Sequence, residues 1–375
     1  MSQLKVNSIS DSAGANGNAI TLASDGSCTA KITNNLSNRN LIINGGCVVN
    51  QYGSTSTSNG IKTLDRWYSS WGGTSTAITQ TAHDLTSSDT GPWEKGFKRS
   101  FHLARTAGSG SDADNYANIR YLVEAQDIVN SGWLHTSTSS YMTLSFWVKS
   151  SLAGTYGVTV RTKDGTNKVY ATTYALSADT WKKVSMTFPG ASNITLNNDN
   201  GAGFDINIAA HWGTDYTISS GFSYENWNSF VGSNRYNDFP QNWVATSGAT
   251  FEATGLQLEV GDTATDFEHR SIADELARCQ RYYEVLGNVT CSVYAKWANG
   301  DVKVPVFFKV TKRATPTVTN SGGTWTNYDP DDGWGQNTPS LTHISTTNCV
   351  INSNHGGAEN TLDINDVDLL IACEL

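Results

Sequence analysis

Between Trp212 and Trp243 lie nine aromatic residues, Trp212, Tyr216, Phe222, Tyr224, Trp227, Phe230, Tyr236, Phe239 and Trp243, interleaved with Asn226, Asn228, Asn234, Asn237, Asp238, Gln241 and Asn242. Aromatic faces stack on the C–H faces of pyranose rings while nearby amides and carboxylates take the hydroxyls, so this mixture of residue types can build a shallow sugar cleft. The stretch has no strand period, which predicts a long structured loop, and aromatics at this density argue against disorder. Trp212, Tyr224, Trp227 and Tyr236 are the candidate carbohydrate contacts. Trp227 and Tyr236 are expected to be the most exposed, and Trp243 to plug the core. The same rings can equally serve to pack the loop onto the body of the domain. Trp147 and Trp181 stand in strand contexts and are expected in the core.

Catalytic motifs are missing from the sequence. Seven histidines (His83, His102, His135, His211, His269, His343 and His355) are scattered outside any metal-ligand spacing, and there is no GxSxG elbow or phosphate-cradling glycine loop. A glycosidase needs a pair of carboxyls roughly 5 to 9 Å apart. Asp65, Glu94, Glu124, Asp127, Glu225, Asp238, Glu259 and Glu268 are conceivable members, but a chain with 34 acids always offers such pairs. Glu259 and Glu268 are expected to be structural, Glu268 through Arg270. The expectation is a protein without enzymatic activity, with polysaccharide cleavage as the less favoured alternative. The oxygen-rich turns around Asp199 and around Asp329, Asp331 and Asp332 are read as ordinary turns.

Charged residues make up 16% of the chain, against roughly 25% in an average soluble domain. The net charge of −9 argues against a nucleic-acid partner, which would require basic patches. The clusters Lys95/Lys98/Arg99 and Lys303/Lys309/Lys312/Arg313 read as solvated strand faces. Met1 leads into polar sequence and no apolar run is long enough to span a bilayer, so membrane insertion and export by a signal peptide are not expected. The six cysteines show neither CxxC nor zinc spacing and are expected as buried free thiols.

Short β-like runs separated by turn residues fill most of the chain, predicting an all-β protein. Residues 1–40 carry too few apolar side chains for a core and read as an extended arm, disordered or paired with another chain. Residues 41–270 are read as one jelly-roll β-sandwich, with strand candidates at 41–43, 61–67, 77–80, 98–103, 118–123, 142–149, 157–163, 169–174, 181–188 and 204–209. Phe251 to Val260 alternates polar and apolar residues from Thr254 onward, as in a half-buried edge strand. Ser271 and Asp274 mark a helix start, and Ile272, Leu276, Cys279, Tyr283 and Leu286 form an apolar stripe of about four turns, which makes them the candidate oligomer interface. Residues 288–375 form a smaller C-terminal β-domain, with Pro305 and Pro316 at edges or turns.

The linker GLQLEVGDTATDFEHRSIADELARCQRYYEVL, with Gln257, Leu258, Glu259, Gly261, Phe267, Glu268, Glu275, Cys279, Gln280, Arg281 and Tyr282 in place, resembles one found in bacteriophage virion appendage proteins. There a carbohydrate-binding-module-like jelly roll feeds a short helix and a terminal β-domain. The strands from Tyr141 to Gly190, with LIINGG at Leu41 and DRWYSSW at Asp65, are similar to that jelly roll. Residues 1–40 resemble the docking arms of phage fibres. These resemblances imply a non-enzymatic virion protein, assembled in the host cytoplasm as a homotrimer through residues 271–287 and 288–375. Its arm would contact other virion proteins and its jelly roll a host surface polysaccharide; the alternative is a capsid decoration or head fibre that binds no glycan. Calcium is the structural metal that such jelly rolls imply, and no other cofactor is expected.

Overall fold

The computed structural model describes residues 8–10, 18–22, 28–30, 38–73, 77–107, 112–295, 302–329, 333–334, 339–353 and 360–375. Strands β1 (Ser8–Ser10), β2 (Asn18–Leu22) and β3 (Cys28–Ala30) pair antiparallel with one another, so the described parts of the arm form a small sheet.

Two six-stranded antiparallel sheets form the body. The first, in the order β12-β9-β15-β7-β6-β4, contains β4 (Thr55–Ser56), β6 (Ala77–Asp84), β7 (Arg99–Ala107), β9 (Tyr141–Ser150), β12 (Lys182–Pro189) and β15 (Thr250–Val260). The second, in the order β14-β11-β10-β13-β8-β5, contains β5 (Tyr68–Gly72), β8 (Tyr116–Glu124), β10 (Gly154–Thr162), β11 (Lys168–Leu176), β13 (Ala202–Trp212) and β14 (Asn228–Ser229). Alternation decides which residues meet between the sheets. Leu144, Phe146 and Val148 of β9 face Ile119 and Tyr121 of β8, Val158 and Val160 of β10, and Ile206 and Ile208 of β13 in one fully buried core. The expected jelly-roll-like β-sandwich is therefore present. Residues 41–43 and 61–67 are turns rather than strands, and a short helix, α1 (Ala125–Val129), stands where none was expected.

The strand β15 is third in its sheet, between β9 and β7, and not an edge. Its apolar face changes parity midway, from Phe251 and Ala253 to Leu256 and Leu258. Pairing explains the change: Thr254 faces Trp147 and Gln257 faces Ser145, so β15 carries one extra residue, a β-bulge centred on Gly255 at φ +64°. The polar face is not solvated either. The following tether lies over Gln257 and Glu259: Glu259 accepts the Thr265 N–H at 2.9 Å and its hydroxyl at 2.7 Å, and Gln257 accepts the Glu268 N–H at 2.8 Å. Arg270 pairs with Glu268 at 3.3 Å, the anchor foreseen for the tether.

Helix α2 spans Ile272–Gln280 and starts as expected, with the Ser271 hydroxyl accepting the Asp274 N–H at 3.2 Å. It ends well before Gly287, because Tyr283 already belongs to β16 (Tyr283–Ala295), paired with β23 (Asn360–Ala372). The five stripe residues are thereby separated. Cys279 is buried under Ile43, Val49 and Tyr282, Tyr283 stacks on Tyr52 at 3.7 Å within the chain, and Leu286 lies on the tail core, while Ile272 is 60% exposed and Leu276 half-buried. A single helical interface made of Ile272, Leu276, Cys279, Tyr283 and Leu286 is not what the structure contains.

The tail adds β17 (Val302–Phe307), β18 (Thr317–Ser321), β19 (Thr324–Asp329), β20 (Gly333–Trp334), β21 (Ser340–Thr342) and β22 (Asn348–Ser353) in two sheets. Pro305 sits on β17, an edge strand. Leu362, Ile364, Val367, Leu369 and Ile371 of β23 are fully buried in a core with Cys349 and Ile351, so this core closes within one copy. Body and tail are joined by charge. Arg66 reaches Glu374 at 2.5 Å beneath the Tyr282 ring, and Arg281 grips Glu124 at 3.1 and 3.0 Å. Within the tail Lys312, far from being solvated, pairs with Glu284 in full burial. The thiols of Cys47, Cys279, Cys349 and Cys373 are buried and free, and Cys291 is half-buried; the Cys28 side chain lies outside the described residues. Among the described residues no helix is long and apolar enough to cross a membrane.

A Cβ on Gly255 would sit 2.7 Å from the Phe97 ring, on a backbone conformation that L side chains rarely adopt. Gly255→Ala is expected to cost about 1–3 kcal/mol in urea unfolding; an unchanged midpoint would mean that the bulge does not depend on glycine.

Candidate carbohydrate-binding site

The outer face of the second sheet carries the outward-pointing half of each strand's alternation. Tyr68 and Ser70 come from β5, Asn118 and Arg120 from β8, Asp205 and Asn207 from β13, Thr159 and Arg161 from β10, and Val169 from β11. Register brings them together: Arg161 pairs across strands with Asp205, and Asn207 with Arg120. The segment from 213 to 249 folds back over one end of this face. Tyr236 lies on bare backbone at Gly157, where a Cβ would stand 2.2 Å from its ring, and it packs with Ala171, Ala209 and Trp212. What the loop leaves uncovered is a cleft of about 330 Å³ lined by Ser70, Tyr116, Arg120, Arg161, Asp205, Asn207, Trp212, Tyr216 and Arg235, with Phe230 and Tyr236 in an adjoining pit.

The wall of the cleft is aromatic. Tyr116 stacks on Trp212 at 5.1 Å, Tyr216 meets Trp212 edge-on at 5.0 Å, and the Arg235 guanidinium lies 4.1 Å above the Trp212 ring and 5.3 Å from Phe230. The floor is polar. Arg120 makes a two-pronged pair with Asp205, Nε to Oδ1 at 3.0 Å and Nη2 to Oδ2 at 2.7 Å, whereas Arg161 reaches the same carboxylate only at 3.5 Å. Burial pulls the pKa of Arg161 and of Arg235 down from the ordinary arginine value. Arg120 is lowered by burial too, but its bond to Asp205 outweighs this and the net shift is upward. Several buried polar atoms here have no protein partner among the described residues: Trp212 Nε1, Asn207 Oδ1, Arg161 Nε and, on the same face, Asn118 Oδ1. Unpaired groups of this kind are costly in a folded protein unless something else satisfies them.

Of the four aromatic candidates, Trp212 lines the cleft, with most of its ring buried. Tyr236, expected to be exposed, is 1% exposed and forms the inner edge of the pit. Trp227 is turned inward, its Nε1 donating to the Pro189 carbonyl at 2.7 Å and its ring against Tyr170 and Phe188; Tyr224 accepts the Asn237 N–H at 2.8 Å and holds the loop together. These rings are used mainly to fasten the loop, because a segment this long must bury its own apolar surface. Trp243 is fully buried in the core.

Trp147 and Trp181 are not core residues. Both lie half-buried on the outer face of the first sheet, as the alternation of Trp147 with Phe146 and Val148 requires, and Trp181 donates to Asp89 at 3.0 Å. Trp147, with Phe97, Phe267 and His269, lines a second hollow of about 300 Å³. There His269 bonds the Lys95 carbonyl and Lys183 reaches the Thr265 carbonyl, and no lining atom is both buried and unpaired. This contrast favours the cleft on the second sheet over that hollow; a neighbouring hollow of about 290 Å³, which shares Trp212 and is lined also by His211 and Gln241, has unpartnered buried atoms as well but lacks the arginines.

Arg120, Arg161, Asp205, Asn207 and Arg235 were not anticipated from the sequence. The signal was present in the alternation, since each of the strand residues falls on the position opposite a core residue. The carboxylates considered for hydrolysis lie elsewhere: Asp65 and Glu124 at the joint with the tail, Glu259 under the tether, Glu268 in the tether and bonded to the Asn40 N–H, and Asp238 on the Thr217 hydroxyl at 2.5 Å. Asp199 is used by its own turn, accepting the Gly201 N–H at 2.9 Å, and the side chains of Asp329, Asp331 and Asp332 lie outside the described residues. Among the described residues no three acidic, histidine or cysteine side chains converge on a point.

No family model matches this chain, and no curated protein matches it. Solved structures similar to it include the enzymatically active domain of tailspike protein 4 of bacteriophage CBA120, at 15% identity over 60% of this chain and 22% of that one, with a TM-score of 0.30. The N-terminal cellulose-binding domain of Cellulomonas fimi β-1,4-glucanase C is similar at 10% identity over 58% of this chain and 99% of that one, with a TM-score of 0.28. The family 11 carbohydrate-binding module of Clostridium thermocellum, in complex with a β-1,3-1,4-mixed-linked tetrasaccharide, matches at 12% identity over 58% and 98%, with a TM-score of 0.26. The chain spans about a fifth of the tailspike structure's length.

His211 lies beside the cleft under the loop, 6% exposed, with Nδ1 unpaired, and burial pushes its pKa down to about 4. A histidine with a folded pKa below its free value of about 6.5 weakens the fold as pH drops, since the unfolded chain takes the proton first. Unfolding free energy is expected to fall by on the order of 2–3 kcal/mol between pH 6.5 and 4 through this residue. Urea titrations of wild type and His211→Gln at the two pH values measure it; identical acid losses in both proteins would remove His211 as the cause.

Proposed function

We propose that this chain is a non-enzymatic glycan-binding subunit of a bacteriophage virion appendage, with the cleft on the second sheet as its sugar site. The observation that carries this reading is the coincidence, in one cleft, of an aromatic wall with buried amide and indole groups that lack partners in the protein. A sugar ring presents an apolar face and a ring of hydroxyls, so it satisfies both sets of groups at once. Asp205, the carboxylate of the cleft, is committed to Arg120 by two hydrogen bonds, a state suited to fixing charge rather than to transferring protons.

The appendage assignment rests on the linker resemblance. Its residues have structural work to do, since Gln257, Glu259 and Glu268 bind the tether and Glu275 accepts the Asn44 N–H at 2.5 Å. Assembly as a homotrimer, with the arm docking to other virion proteins, completes the proposal. Ile272 at 60%, Tyr294 at 53% and Phe307 at 71% exposure leave apolar surface on the helix and tail for such contacts. Three copies turn weak sugar contacts into useful avidity.

Binding of host surface polysaccharide on a glycan array is expected, without release of reducing ends. Tyr216→Ala and Phe230→Ala are each expected to weaken it about three- to tenfold, the worth of one stacking contact; undiminished binding in both would place the sugar elsewhere. Light scattering is expected to give three times the 40.5 kDa of one chain, and a stable monomer at micromolar concentration would remove the trimer.

A further inference from the structure

Three guanidinium groups, Arg120, Arg161 and Arg235, face into the cleft against one carboxylate, Asp205, so its lining carries +3 − 1 = +2 in a chain whose net charge is −9. Such a surplus inside a partly desolvated cleft is unusual, because arginine cannot shed its charge by deprotonation. Arg120 uses the carboxylate in both directions, which leaves Arg161 at 3.5 Å with an unpartnered, buried Nε. Arg235 donates its Nε to the Gly232 carbonyl at 3.0 Å, and among the described residues no carboxylate lies within ion-pair distance of it. The Phe230 ring lies beside both arginines, 4.2 Å from Arg161, whose only ion pair is the long one to Asp205, and 5.3 Å from Arg235, so two planar forks stand at one opening. Asp215 and Asp114 act electrostatically on Tyr216, which lines the cleft, and offset part of this surplus, although neither is among the lining residues.

The geometry points to a glycan that carries an anionic group: Arg161 and Arg235 take the oxyanion while the aromatic wall takes the sugar face. A planar fork matches a carboxylate or a sulfate through two parallel hydrogen bonds, and a neutral hydroxyl cannot balance the charge. Buried Asn207 and Trp212, each with an unpartnered polar atom, provide an acceptor and a donor for the hydroxyls of the same residue.

This inference rests on the reading of the cleft as a sugar site, and the test separates the two. Calorimetric titration of the full chain is made with an oligogalacturonate, with its carboxyl-reduced counterpart and with a sulfated oligosaccharide of similar length. The expected result is that at least one anionic oligosaccharide binds and the reduced one binds about tenfold or more weakly. Binding should also weaken on going from about 50 mM to about 500 mM salt. The two anionic arms distinguish carboxylate from sulfate. Arg161→Gln and Arg235→Gln are each expected to remove most of the preference for the charged glycan. Equal binding of the charged and reduced oligosaccharides overturns the anionic preference and leaves sugar binding standing. Binding of none of these, with a neutral glycan bound on the array, likewise overturns it. Failure of every glycan overturns both.

Discussion

A strand in a sandwich can give only one of its two faces to the shared core, and everything particular to this protein follows from how the other faces are dealt with. On the first sheet the tether of residues 261–270 lies across the polar side of β15 and satisfies Gln257 and Glu259. Glu252 is held there by Ser100 at 2.7 Å, His83 at 3.0 Å and Lys149 at 3.2 Å; burial alone would raise this carboxyl, but these partners and His102 bring it down to about 2. On the second sheet the aromatic loop covers one end and stops short of Arg120, Arg161 and Asp205. The cleft is the part of an outer face that the chain itself has left unfinished.

The same constraint accounts for the stiffness of the site. Arg120, Asp205, Asn207 and Arg161 stand on central strands, each hydrogen-bonded on both sides, and the apolar halves of those strands are locked in the core. Trp212 and Arg235 come from the end of β13 and the returning loop, which Tyr236 pins to the sheet at Gly157. The cleft is therefore prearranged, and a ligand has little ordering cost to meet. The joint to the tail is rigid for a different reason. Arg66 and Glu124 are buried charges, satisfied across the joint by Glu374 and Arg281.

Much of the sandwich was legible in the sequence, because alternation in segments such as Leu144, Phe146 and Val148 has one reading once a sheet has a buried side. That rule also puts Trp147 outside, whereas its strand context alone had suggested the core. The end of α2 was not legible: Tyr283 and Leu286 continue an apolar helical spacing, yet Tyr283 pairs with Ala372, 89 residues along the chain. Exposure within the aromatic loop was equally hidden, since it depends on where the loop lands. The charged floor was invisible for the same physical reason. Arg120, Arg161 and Asp205 each look like an ordinary solvent-facing residue until strand register sets them side by side.

The most direct test of the account is a crystal structure of the chain with an anionic oligosaccharide bound. The account predicts the sugar on the outer face of the second sheet, its ring against Trp212 or Tyr216 and its charged group within hydrogen-bond distance of Arg161 or Arg235. A sugar seated on the Trp147 face, or across the tail with this cleft untouched, would contradict it.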